Sequence, residues 1–205
     1  MKLSRWIVFF PVLQGVGAIL GGIYALSGHV FIGLIAMLAF IYIVPLLAFK
    51  LHQMIFPKLQ GVFNLQSPSY IAWWGTHHIQ AFLIAFPYFE RALIIIPGAF
   101  SAWLRLWGST IGKNVYWAID ITVLDRSLLV VGDGVIIGYR CGFASHIIKP
   151  KKSKNGFLLF VQEIQVGSGS FVGAGTNVGP GVRIEQGTWI EVGSRLYPNS
   201  KHRAD

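Results

Sequence analysis

Residues 166–184 read VGSGSFVGAGTNVGPGVRI, and a branched apolar residue followed by another residue returns at every sixth place: Val166-Gly167, Val172-Gly173, Val178-Gly179, Ile184-Glu185. Alternation of period two makes a strand and 3.6 makes a helix, whereas a strict six suits short strands joined by tight corners. Three hexads then make one triangular coil. The apolar first residue and the small or apolar fifth (Val135, Cys141, Ile147, Thr176, Val182) are expected to face the axis, where stacked coils bury them in a continuous column. Glycine in second place is expected to give the corner its backbone freedom.

Outward from this stretch the pattern recurs at Val131-Gly132, Ile137-Gly138 and Phe143-Ala144, earlier at Ile111-Gly112 and Trp117-Ala118, and later at Ile190-Glu191. The register slips between Trp117 and Val131, which are fourteen residues apart instead of twelve. It breaks more seriously between Ile148 and Ile164, so KPKKSKNGFLLFVQE reads as an inserted loop. In a solenoid, insertions gather on one, often functional, face.

The first half is a different material. Trp6 to Leu26 is interrupted only by Pro11, Gln14, glycines and a tyrosine, and Val30 to Phe49 has no charge. Both match the ~20 residues that span a bilayer core, which predicts a transmembrane helical hairpin. A second apolar run so close behind the first argues against a cleaved signal peptide. Lys2 and Arg5 precede the pair, Lys50, His52 and Lys58 follow it, and the turn between carries no Lys or Arg. The positive-inside rule therefore places both ends, and everything after Lys50, on the cytoplasmic side of a cytoplasmic membrane. Between Ser69 and Leu106, aromatics with Pro87 and Pro97 predict short interfacial amphipathic helices. The expected organisation is a hairpin over 1–58, an interfacial connector over 59–108 and a repeat domain over 109–205.

The net charge of +9 fits anionic lipid or phosphorylated ligands, since no recognition helix or RNA-binding signature accompanies it. One cysteine excludes an intramolecular disulfide and a multi-cysteine metal site. Adjacent His77 and His78 diverge by about 100° on a helix and have no third ligand at a recognisable spacing, so no metal is expected.

The hexads, together with VYWAIDITVLDRSLLVVGDGVIIG and the following SH, resemble the hexapeptide-repeat acyltransferases over roughly 111–195. Membrane-linked members are most similar, including the C-terminal β-helix modules of poly-lysine-type peptide synthetases. The resemblance implies a left-handed parallel β-helix assembled as a homotrimer; the hand is the family's, because parallel crossovers in general favour the other. It further implies transfer of an acyl group, acetyl by default, from acetyl-CoA or a carrier thioester, with no permanently bound cofactor. The acceptor would be a hydroxyl or amine on a membrane-associated glycan, lipid or peptide.

His146 is the candidate general base: it is the internal histidine of the repeat region, and histidine suits proton transfer near neutrality. Glu163 and Asp120 are candidate carboxylates to orient it, while Asp125 and Arg126 could form a local structural pair. Lys149, Lys151 and Lys152 are candidates for the donor's phosphates, and Gly173, Ala174 and Gly179 for close approach of its pantetheine arm. Cys141 is expected inward, where a thiolate is disfavoured. A zinc-dependent carbonic anhydrase would need three histidines within the repeats. The competing readings are a non-catalytic β-helix scaffold and a membrane-recruitment module.

Overall fold

Each hexad folds as one short strand and one corner. In a computed structural model, described for residues 6–67, 69–151 and 156–204, the repeats give three parallel sheets. One face stacks β2 (Thr110–Ile111), β5 (Leu129–Val131), β10 (Ile164–Val166), β13 (Arg183–Ile184) and β16 (Lys201–His202). A second stacks β3 (Tyr116–Trp117), β6 (Ile136–Ile137), β11 (Phe171–Val172) and β14 (Trp189–Ile190). The third stacks β4 (Thr122–Val123), β7 (Gly142–Phe143), β12 (Asn177–Val178) and β15 (Arg195–Leu196). This is a parallel β-helix. The first-place residues fill its column: Ile111, Trp117 and Val123 in the first coil and Ile184, Ile190 and Leu196 in the last are all buried. Burial of such a side chain stabilises by about 1.5–3 kcal/mol relative to leaving it in water.

The two small positions of the hexad do different jobs, and the second is not the flexible one. A Cβ on Gly167 would lie 2.5 Å from the backbone nitrogen of Gln186, and one on Gly173 2.5 Å from that of Val192. Second-place glycine therefore permits the next coil to stack. The left-handed backbone falls at fourth place, at Gly169 (φ 66°) and Gly175 (φ 71°), and also at Asn114, Asp120, Arg140 and Asn199. Asn and Asp tolerate that conformation because their short side chains can bond locally.

The chain leaves the column after Ser145. β8 (His146–Pro150) and β9 (Phe157–Val161) form an antiparallel pair, and β1 (Gly61–Asn64) adds to the far edge of β9. Ile147, expected at the axis, is instead 40% exposed, because the hairpin has already carried it off the column.

At the start of the column sits a helix of residues Ala99–Leu106, which follows Pro97. The Trp117 indole donates to Ser101 Oγ at 2.8 Å. The carbonyls of Val131 and Val166 accept from the preceding coil, from Gly112 and Gly132. Ile111 has no preceding coil, and its carbonyl accepts from Arg105 Nε at 2.8 Å.

Residues 60–67 and 90–205 make one compact unit, and residues 1–59 with 68–89 make another. The second is helical: α1 (Phe10–Leu26), α2 (Val30–Ile55, with a π-helical turn at Ala39–Ile43) and α3 (Ala72–Ala85, ending before Pro87). Glycines bring α1 and α2 together antiparallel. A Cβ on Gly21 would lie 2.6 Å from the Met37 nitrogen, and one on Gly33 would strike Ala25. Small residues four apart are the usual device for close approach of apolar helices. α3 buries Trp73, Thr76, Ile79, Gln80, Phe82 and Leu83, which at about 100° per residue fall on one half of its circumference. Only α2, at 26 residues, is long and apolar enough to cross a membrane among the described residues; α1 has 17.

Candidate active site

Both irregularities in the repeat occur at one corner, the turn from the third face to the first. Between Val123 and Val131 two extra residues widen that corner, and one coil later the β8–β9 hairpin leaves from it. The widened corner carries Asp125 and the hairpin begins with His146. Their side chains meet, with Nδ1 of His146 2.7 Å from Oδ2 of Asp125. Asp125 is almost wholly buried and the imidazole largely so. A carboxylate on Nδ1 holds the proton there, leaving the basic lone pair on Nε2.

The corner is pinned from three sides. Ser145 Oγ donates to the Leu128 carbonyl at 2.8 Å, tying the histidine's neighbour to the aspartate's turn. Ser109 Oγ donates to the Arg126 carbonyl at 2.6 Å. The Arg126 guanidinium, 1% exposed, pairs with Glu90 through Nε at 2.6 Å and through Nη2. Glu90 also accepts from the Trp103 indole at 2.7 Å, and the guanidinium lies over the Trp107 ring at 5.9 Å. A charge buried this deeply needs such a partner. Asp125 thus bonds the histidine, and Arg126, next in the chain, bonds Glu90.

His146 lines an open groove of about 640 Å³ along the third face. In-register outward positions form its floor: Thr122, Gly142, Asn177 and Arg195. Gly142 leaves that floor flat, for a Cβ there would press on Asn177 Oδ1 at 3.0 Å. Arg140 and Tyr197 edge the groove, and among the described residues no Asp or Glu lines it.

Of the residues singled out from sequence, Gly179 lines the groove with His146, whereas Gly173 and Ala174 stack at a different corner. Asp120 does not reach the histidine: it pairs with Arg91 and, at 3.1 Å, with Arg140. Neither does Glu163, whose carboxylate accepts from Gln165 Nε2 at 3.2 Å and whose backbone N–H donates to Gln60 at 2.9 Å. Lys149 stands exposed on β8, Lys151 Nζ lies 3.5 Å from Gln66 Oε1, and Lys152 falls outside the described residues. Cys141 points into the column and donates to the Gly173 carbonyl at 3.2 Å; burial pushes its thiol pKa up. In the helical unit His78 Nδ1 is 2.8 Å from the Trp74 carbonyl and His77 stacks on Trp73. Among the described residues no group of three or more His, Cys, Asp or Glu could hold a metal ion.

Sequence reasoning missed Asp125 as the histidine's partner, although the signal was present. Asp125 lies two places after Val123 and His146 three places after Phe143, and those two valine and phenylalanine positions pair directly in adjacent coils.

No protein-family model matches the chain, and no curated protein matches it. Solved structures do. A hexapeptide-repeat-containing acetyltransferase from Vibrio cholerae is 13% identical, with 58% of this chain and 84% of that one covered and a TM-score of 0.42. A maltose O-acetyltransferase from Clostridium difficile is 14% identical, with 58% and 80% covered and a TM-score of 0.41. A galactoside acetyltransferase in complex with coenzyme A is 14% identical, with 69% and 81% covered and a TM-score of 0.38.

Proposed function

We propose that the protein is a membrane-anchored acyltransferase that moves an acyl group, acetyl by default, from a coenzyme A or carrier thioester to a hydroxyl or amine at the cytoplasmic leaflet. The observation that carries this reading is the His146–Asp125 pair at the edge of the groove, built by the two breaks in an otherwise regular repeat. Neutral His146 takes the proton from the acceptor O–H or N–H as that atom attacks the thioester carbonyl. The tetrahedral intermediate collapses, the C–S bond breaks, and the imidazolium returns its proton to the departing thiolate. Asp125 fixes the tautomer and stabilises the imidazolium; no covalent acyl-enzyme is needed, and Cys141, buried and held neutral, is not a nucleophile.

Anchoring rests on α2, at ~39 Å longer than the ~30 Å hydrocarbon core, and on α1, near the lower limit for a span. Large apolar side chains such as Val12, Leu13, Leu20 and Ile23 cover the outside of α1. An anchor raises the local concentration of a membrane-bound acceptor. The resemblance to hexapeptide-repeat acyltransferases adds a left-handed coil and a trimer, which sedimentation in detergent would measure. The function is tested by incubating purified protein with labelled acetyl-CoA and native membrane extract, comparing wild type with His146→Ala. Transfer that disappears in the variant supports the reading and labels the acceptor. Equal transfer from both removes His146 from the chemistry.

A further inference from the structure

The small sheet β1–β9–β8 has two unlike faces. On one, Leu159 and Val161 of the central strand are fully buried. On the other, cross-strand pairing places Val62, Phe160 and Ile147 in one row, and Asn64, Leu158 and Lys149 in the next. Val62 is 60% exposed and Ile147 40%. Apolar residues of this size left in the open beside lysine mark an interaction surface.

Chain connectivity limits where this surface can be. β1 starts six residues after α2 ends at Ile55, and α3 begins at Ala72, eight residues after β1 ends. Six extended residues reach about 20 Å at most. If α2 spans the bilayer, as the proposed function holds, β1 is tethered on both sides to helices of the membrane unit. Ile147 belongs both to the exposed row and to the groove that holds His146.

From this we infer that the outer face of the β1–β9–β8 sheet rests on an anionic bilayer surface, with Val62, Phe160 and Ile147 against the headgroup region and Lys149 and Lys151 among the lipid phosphates. The acceptor's reactive group then enters the groove past Ile147 directly from the leaflet. Charge favours this occupant: the chain carries +9, and each basic residue near an anionic surface contributes about fivefold to binding.

The test uses the full chain in lipid nanodiscs of phosphatidylcholine alone or with added phosphatidylserine. An environment-sensitive fluorophore is attached through Val62→Cys, the native Cys141 being buried, and through Arg183→Cys on the outside of a regular coil as a reference. The Val62 probe is expected to emit at shorter wavelength with phosphatidylserine and to be quenched by a headgroup-spin-labelled lipid, while the Arg183 probe changes little. Replacing Lys149 and Lys151 with Gln should lower the seated fraction's equilibrium constant roughly 25-fold. A Val62 probe that stays water-like and unquenched in both discs overturns the inference. So does equal quenching of both probes, or shielding that follows protein density and not lipid, which would mean a second copy covers the face. Because no donor is present, quenching that holds while acyl transfer fails would sink the catalytic reading and leave this one standing.

Discussion

From Val166 to Leu196 the column runs unbroken, while from Ile111 to Ile164 the same repeat is interrupted twice at one corner. Both stretches bury the same kinds of residue, and they differ in what is left over. In the regular coils stacking dictates the second place, corner geometry the fourth and the column the first and fifth. Only outward side chains remain. In the interrupted coils two added residues and a hairpin release the corner from those demands, and there an acid, a base and a buried ion pair come together. A repeat provides the frame, and its departures are where chemistry can be placed.

That contrast can be broken experimentally. The largest effect is expected from His146→Ala, which should reduce acyl transfer by about 10²–10⁴-fold without moving the unfolding midpoint. A midpoint that falls with activity would make the residue structural. Next comes Glu90→Ala, which strands the Arg126 guanidinium in the interior and should cost about 3–5 kcal/mol in denaturant unfolding. Replacing both partners with apolar residues of similar volume should restore most of it, and a single variant as stable as wild type would refute the pinning of the corner. Asp125→Asn is expected to slow transfer by at least about tenfold, with unchanged stability and with the pH profile of the rate altered. In the regular coils Val172→Ala should cost about 2 kcal/mol and leave transfer per folded molecule intact. A specific loss of transfer there would erase the distinction between the two regions.

Smallest is the effect of Cys141. Burial raises its pKa in the folded state, so the folded state holds the thiol proton more tightly than the unfolded one. Its stabilising contribution is complete below the unfolded value of about 8.5 and is lost as pH rises from there through the folded value. Unfolding measured across the alkaline range should steepen less in Cys141→Ala than in wild type.

The column was legible because a period of six is a local property: Val131, Ile137, Phe143 and the four from Val166 to Ile184 can be placed inward from sequence spacing alone. The division of labour between second- and fourth-place glycines was not, since it depends on how closely the next coil approaches. Nor was β1, because Gly61 pairs with Val161 and nothing near either residue announces the other. The burial of α3 depends likewise on what packs around it. His146 stood out by residue type, whereas Asp125 was hidden in a register slip whose meaning needs the corner it shares.

The pairing of β1 with β9 also sets an order of events in time. Gly61 waits for Val161, a hundred residues later in the chain. At synthesis rates of 5–20 residues per second that delay is roughly 5–20 s. α1 and α2 precede that interval, α3 is made early in it, and β1 stays an unpaired edge until it ends. The β1–β9–β8 sheet closes only afterwards, so the corner that joins His146 to Asp125 is framed last, after the helices that precede it in the chain.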